Sequence, residues 1–290
     1  MKARRISLFD CINTLLMLFI IIVTFYPMWY VLCASLSSSS AIVARPGALL
    51  WPTEFTLGAY KMTAKNALLL SGFKNTLIIL AVALPLNLGM TVICGYFMAS
   101  KNMLLKKPIM VYLLITMFFS GGLIPCYLNQ CSLGLRNNLW ALIIPNALNL
   151  YNAIICKTAI EAIPDSLYES ALIDGAGDAT VLTKIIVPLI KPTLAVLLLY
   201  YGVGHWNSWF NASIYITDNE KLPVQNILRA VLIANSNVLS GSQGGRTVVD
   251  TYAEAIKYAA IIIATFPILC IYPFLQKYFV KGVMIGAVKG

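Results

Sequence analysis

Long apolar blocks separated by short polar stretches dominate the chain. Six of them run roughly over residues 11–34, 75–100, 108–129, 139–160, 193–211 and 258–279. Each is near the roughly 20 residues that a helix needs to cross a bilayer. The pattern predicts an all-α integral membrane protein, a single transmembrane domain over residues 1–290 with six transmembrane helices. An even number of spans puts both termini on one side. Met1 to Arg5 ahead of the first block imitate a secretory signal, but the block is longer than a signal's apolar core and is expected to stay as an anchor, kinked at Pro27. Gly121-Gly122-Leu123-Ile124-Pro125 interrupts the third block, and non-helical backbone at that depth is tolerated only against protein or a water-filled cavity.

Lys and Arg number twelve on the side of the termini and nine on the other. The cluster Lys101, Lys106 and Lys107 carries the most weight, because short loops obey the positive-inside rule best. The termini and the polar loop 161–192 are therefore assigned to the cytoplasm, and segments 35–74, 130–138 and 212–257 to the outside. The first outer segment, with its serines at 37–40 and Trp51-Pro52, reads as irregular chain with a short helix around 57–67. The third carries an amphipathic run at 223–234, then Ser240-Gly241-Ser242-Gln243-Gly244-Gly245-Arg246, the composition of a flexible loop tip.

Loop 161–192 is too short and polar to span a bilayer and reads as two short helices. Ser166 and Glu169 have capping-box spacing, which predicts a start near Leu167. Gly175 supplies a left-handed end. Asp178 is expected to cap the second helix, where Val181 and Ile185, and Leu182 and Ile186, repeat at helical spacing until Pro188 stops it.

Composition sharpens the picture. Hydrophobic residues make up 59% and charged residues 11%, about half the charge of a usual soluble domain. The net charge of +10 comes from basic residues scattered beside apolar blocks, which favours membrane lipid headgroups over nucleic acid. The seven cysteines show no metal-binding spacing and read as buried packing residues; Cys126 and Cys131 are close enough to invite a disulfide, although packing is the preferred reading. No phosphate-binding Gly-x4-Gly-Lys-Ser/Thr loop is present, and the blocks lack the intramembrane carboxylates of ion-coupled carriers. Energy must come from another chain. One histidine cannot build a triad, so no catalytic residue, no metal ligand and no enzymatic activity is assigned. Around it, residues 200–211 interleave aromatic and amide groups, and His205 lies roughly 20 Å up the helix from Pro192. His205, Trp206, Asn207, Trp209 and Asn211 are candidate substrate-path residues. Trp206 and Trp209, three apart, and Asn207 and Asn211, four apart, would form one stripe on a continuous helix. The alternative is an aromatic belt at the outer interface with ordinary helix packing.

From Glu169 the residues run Glu-Ser-Ala, three more, Gly175, nine more, Ile185, one more, then Val187-Pro188. This closely resembles the "EAA" loop of ATP-binding-cassette importer membrane subunits. Ser170 replaces the second alanine and Val187 a leucine. The flanking Ile173-Asp174-Gly175-Ala176-Gly177 is similar to the maltose-type carbohydrate branch. The resemblance implies a type I importer permease fold in a bacterial cell membrane. It also implies an ATPase-coupling surface made of Glu169, Ser170, Ala171, Asp174, Gly175, Ala176, Gly177 and Pro188. Implied partners are a second, different permease, two ATPase subunits that bind ATP and Mg in place of any cofactor in this chain, an extracellular solute-binding protein and an oligosaccharide substrate. The resemblance further implies that the binding protein docks at Ser240, Gly241, Gln243, Gly244 and Gly245, and that the tail 281–290 enters the ATPase interface. Residues 121–125, 132–135 and 204–209 resemble a branch handling plant-polysaccharide fragments, acidic ones among them. The rival readings are a membrane assembly or receptor component that moves nothing, and a secondary carrier.

Overall fold

A computed structural model describes residues 8–44, 47–100, 104–241 and 254–270. Among them the regular structure is entirely helical, with no strand. Two helices are continuous and long enough to cross a membrane, Leu8–Ser35 and Ala67–Ala99. The first is unbroken through Pro27. The second begins eight residues before the apolar block, because the Asn66 side-chain oxygen accepts from the N–H groups of Leu68 (3.0 Å) and Leu69 (3.3 Å), satisfying donors that a helix start leaves unpaired.

The expected count of six spans is not reached among the described residues. Among them two helices qualify, or up to four if each bent pair is one span. The third block divides into Lys106–Phe118 and Leu123–Ser132, bent by 113°. Gly122 turns there at φ +85°, a conformation glycine adopts without a Cβ clash, while Pro125 falls in the first turn of the second piece, where its missing N–H costs nothing. The fourth block breaks into Trp140–Ile143, a 3-10 turn Ile144–Asn146 containing Pro145, and Leu150–Glu161, restarted by the Asn149 side chain accepting from Asn152 N–H (3.2 Å). The fifth is covered by Lys191–Asn207 and Phe210–Tyr215, the first of which meets the preceding Asp178–Leu189 of loop 161–192 at a bend of 82°. Helix is present over 254–270; the rest of the sixth block lies outside the described residues.

The described residues fall into two compact units, one drawn from 8–69 and 228–266 and the other from 70–227 and 267–270. In the first, the expected short outer helix is Gly58–Ala64. Ala59 packs with Ala255 and Ala259, Ser35 Oγ bonds the Tyr60 hydroxyl (2.7 Å), and Ser39 Oγ accepts from Ala255 N–H (3.0 Å). In the second, Ala67–Ala99 crosses Leu150–Glu161 so closely that a Cβ on Gly95 would lie 2.9 Å from Cys156 Sγ. All seven cysteines are free, Cys126 and Cys131 included. Cys33 and Cys156 are buried, but Cys11, Cys126 and Cys270 are exposed on apolar helices, so the packing reading fails for those three. No metal-binding group occurs among the described residues.

Candidate functional site

Loop 161–192 folds as a helix, a tight turn and a second helix. The first helix is Asp165–Ile173, starting two residues earlier than the capping box predicts. Pro164 precedes it at φ −59°, a preset angle that suits helix entry. Ser166 is thereby drawn inside the helix and caps nothing; its carbonyl instead accepts from Ser170 Oγ (2.8 Å). The end matches expectation in detail. Gly175 sits at φ +77°, its N–H donates to Leu172 O (3.0 Å), and Ala176 N–H donates to Ala171 O (2.9 Å). That pair of bonds is a Schellman turn.

Asp178 does not cap its helix, whose N-cap is Gly177. Its carboxylate accepts instead from the hydroxyls of Tyr96 (2.9 Å) and Tyr168 (3.3 Å). One oxygen thus ties the second half of the loop to its first half and to the Ala67–Ala99 helix. Pro188 does not stop the second helix either. Residues Val181–Ile186 adopt a wider π turn, after which Val187–Leu189 restarts as α-helix with Pro188 in its first turn. The chain bends at Ile190 (φ −90°, ψ 10°).

The loop's apolar side is anchored: Ala171, Val181 and Ile186 are buried against Tyr96, Cys156 and Ile160. Its other side is presented. Glu169, Ser170, Asp174, Gly175, Gly177 and Pro188 are exposed and Ala176 is half-buried. Ile173 is 86% exposed, one helical turn after Glu169, and joins this tip although the motif alone does not single it out. Beneath lies a cleft of about 720 Å³ lined in part by Tyr96, Lys106, Glu161, Tyr168 and Glu169.

A second polar cluster surrounds His205. Asn87 is fully buried; its amide donates to the carbonyls of Asn146 (2.6 Å) and Ala147 (3.0 Å), and its oxygen faces His205 Nε2 at 2.9 Å. With both amide hydrogens committed to carbonyls, the oxygen can only accept, so Nε2 carries the proton. One turn along, the Tyr201 hydroxyl pairs with Thr91 Oγ1 (2.7 Å) and accepts from Asn149 N–H (3.0 Å). Sequence reasoning missed Asn87, Thr91 and Tyr201. Their signal is two polar residues four apart in the middle of an apolar block, on one helical face.

The expected stripe is interrupted. The helix ends at Asn207, Ser208 is extended (φ −76°, ψ 95°), and Asn211 belongs to the next helix. Trp206 is buried, its ring 6.2 Å from Phe73, whereas Asn207 and Trp209 are exposed and Asn211 is half-buried. Trp206 is a packing residue here, so the structure separates it from Asn207 and Trp209. Ser240 and Gly241 lie at the end of the Val224–Gly241 helix rather than in a loop tip; Gln243, Gly244, Gly245 and the tail 281–290 fall outside the described residues.

Residues 91–285, which contain loop 161–192 and all of the His205 cluster except Asn87, match the binding-protein-dependent transport system inner membrane component family. The chain belongs to that family. It is 34% identical over 287 residues to the polygalacturonan/rhamnogalacturonan transport system permease protein YtcP of Bacillus subtilis (strain 168), covering 98% of this chain and 99% of that protein. Protein LplC of the same organism is 37% identical over 289 residues, covering 100% and 97%. A chain from a crystal structure of a bacterial ABC transporter involved in the import of the acidic polysaccharide alginate superposes with a TM-score of 0.85 at 27% identity, covering 96% of this chain and 99% of that one. As a family member the chain is a membrane-embedded component of a binding-protein-dependent ABC importer, a transporter part rather than a catalytic one.

Proposed function

We propose that this permease is one of two different membrane subunits of an importer for oligosaccharides bearing uronic acids. It works by alternating access and is driven by two separate ATPase subunits that hold ATP and Mg. The observation that carries the reading is the anchored loop 161–192. Its Schellman turn and buried Ala171, Val181 and Ile186 hold Glu169, Ile173, Asp174 and Gly175 outward on a rigid base. A tip fixed on one side and unpartnered on the other transmits a push better than a mobile loop. This loop and both termini are cytoplasmic in the proposal, and an extracellular binding protein delivers the sugar. His205, its Nε2 committed to Asn87, offers Nδ1 to a sugar hydroxyl; Asn207, Trp209 and Asn211 follow it along the chain.

The substrate class rests on the polygalacturonan/rhamnogalacturonan and alginate systems that the relatives serve. The test is reconstitution of the full complex in lipid with its binding protein. ATP hydrolysis should rise on adding oligogalacturonate and stay basal with a neutral maltodextrin of equal length. Stimulation by both equally would remove the acid preference, and stimulation by neither, with uptake absent, would remove the importer reading.

A further inference from the structure

Two apolar segments among the described residues have long exposed stretches, 8–25 and 114–126, and one property separates them. In Leu8–Ser35 the side chains of Leu8, Phe19 and Ile22 are 65–78% exposed, but the helix is continuous, so its backbone bonds internally and lipid can surround it. The other is the elbow between Lys106–Phe118 and Leu123–Ser132. Every residue over 114–126 is exposed, and over 119–122 the helix stops, with a turn of 113°.

Phe118 lies twelve residues beyond Lys106, so the elbow is at most about 18–20 Å from the basic end at 1.5 Å per residue, within an apolar slab about 30 Å thick. Lipid cannot hydrogen-bond irregular backbone there, so protein or water must cover it. Phe119 N–H donates to Ile115 O (2.9 Å), Gly122 N–H to Ser120 Oγ (3.1 Å) and Cys126 N–H to Gly122 O (3.2 Å), local bonds at the two ends of the turn that do not serve its middle. Water is disfavoured by the side chains on either side, since Phe118 (77%), Phe119 (75%), Leu123 (55%) and Ile124 (70%) are all exposed. Gly121 adds an independent point. A Cβ there would meet nothing closer than Cys126 Sγ at 3.9 Å, so its own chain does not require glycine.

We infer that the elbow 118–124 is seated in the second permease subunit, with Phe118, Phe119, Leu123 and Ile124 as apolar anchors and Gly121 leaving room for close approach of the partner's backbone. This rests on the two-permease reading above. Small residues allow such approach between membrane helices, where packing rather than hydrophobicity drives association.

The test places a benzophenone amino acid at Phe119, and at Phe19 as a lipid-facing reference, in the complete complex in lipid nanodiscs. The Phe119 adduct should be a covalent dimer whose second component is the other permease by mass spectrometry, while Phe19 should capture lipid. A Phe119 adduct with lipid alone, or with the same chain, would overturn the inference. So would alkylation of Gly121→Cys by a membrane-impermeant maleimide in the intact complex, with exposed native cysteines replaced by alanine, because that places the elbow on a water-filled path. Gly121→Leu should leave the yield of this chain alone within about twofold but lower recovered complex at least tenfold. Equal losses of both would assign the glycine to folding, against the inference. Oligosaccharide-stimulated ATPase in the same complex separates the failures: normal stimulation with a lipid adduct rejects the elbow and spares the importer.

Discussion

Gly175 offers the sharpest test of the coupling role proposed for loop 161–192. At φ +77° with no atom within 4 Å of an added Cβ, a substitution there meets no neighbour in this chain, so its cost is backbone conformation alone. For an ordinary L-residue that cost is roughly 1–2 kcal/mol, less for Asn and more for a β-branched residue. If the loop must keep this turn to fit an ATPase groove, affinity for the ATPase should fall roughly 5- to 30-fold for Gly175→Ala, at about 1.4 kcal/mol per decade. It should fall less for Gly175→Asn and more for Gly175→Val. The assay is titration of the nanodisc-reconstituted permease pair with purified ATPase, alongside sugar-stimulated hydrolysis. The ranking decides the matter because Asn is larger than Ala. If side-chain volume in the groove governed, Asn would be worse than Ala, and that order, or equal affinity for all three, would refute the backbone argument.

Tyr96→Phe removes the shorter of the two hydroxyl contacts to Asp178, about 0.5–1.5 kcal/mol; transport per ATP hydrolysed should fall while ATPase association persists, and an unchanged ratio would show that this link carries no motion. Gly95→Val forces a Cβ to 2.9 Å from Cys156 Sγ and should lower the thermal midpoint by an overpacking cost of about 1–3 kcal/mol, partly recovered by Cys156→Ala; full stability of the single variant would mean the two helices separate easily. Asn87→Leu strands the carbonyls of Asn146 and Ala147, costing about 1–3 kcal/mol, and should reduce folded yield. His205→Gln, by contrast, should leave yield intact and reduce uptake per assembled complex; uptake at the wild-type rate would confine His205 to packing.

What could be read from sequence follows the range of the interactions involved. The Schellman turn at Gly175 was legible because it needs one residue type and two bonds within six positions of chain. The capping box failed at the same scale. Ser166 and Glu169 have the right spacing, but Pro164 presets the helix entry and starts the helix before them. Asp178 looked like a cap because its tyrosine partner Tyr96 lies 82 positions away, out of reach of any local pattern. The His205–Asn87 pair, 118 positions apart, was hidden for the same reason. Hydropathy found the apolar blocks but not their breaks, since it averages over windows that a four-residue turn hardly changes; only the break in the third block was legible, from Gly121, Gly122 and Pro125.

Those breaks also sort themselves by who satisfies them. At 144–149 the freed carbonyls of Asn146 and Ala147 and the N–H of Asn149 are met by Asn87 and Tyr201, two side chains from neighbouring helices of the same chain. Placing a fully buried amide in the middle of an apolar helix is unfavourable unless it is fully bonded, and here all its hydrogen-bonding atoms are engaged. At 119–122 no such side chain reaches in from another helix of the described chain, and the flanking residues stay exposed. The same physical demand therefore has two answers in one molecule: an internal break completed by its own polar residues, and an outward break whose completion falls to another subunit. On this argument a second buried amide introduced beside Gly121 would relieve the demand within the chain and weaken, rather than strengthen, its dependence on a partner.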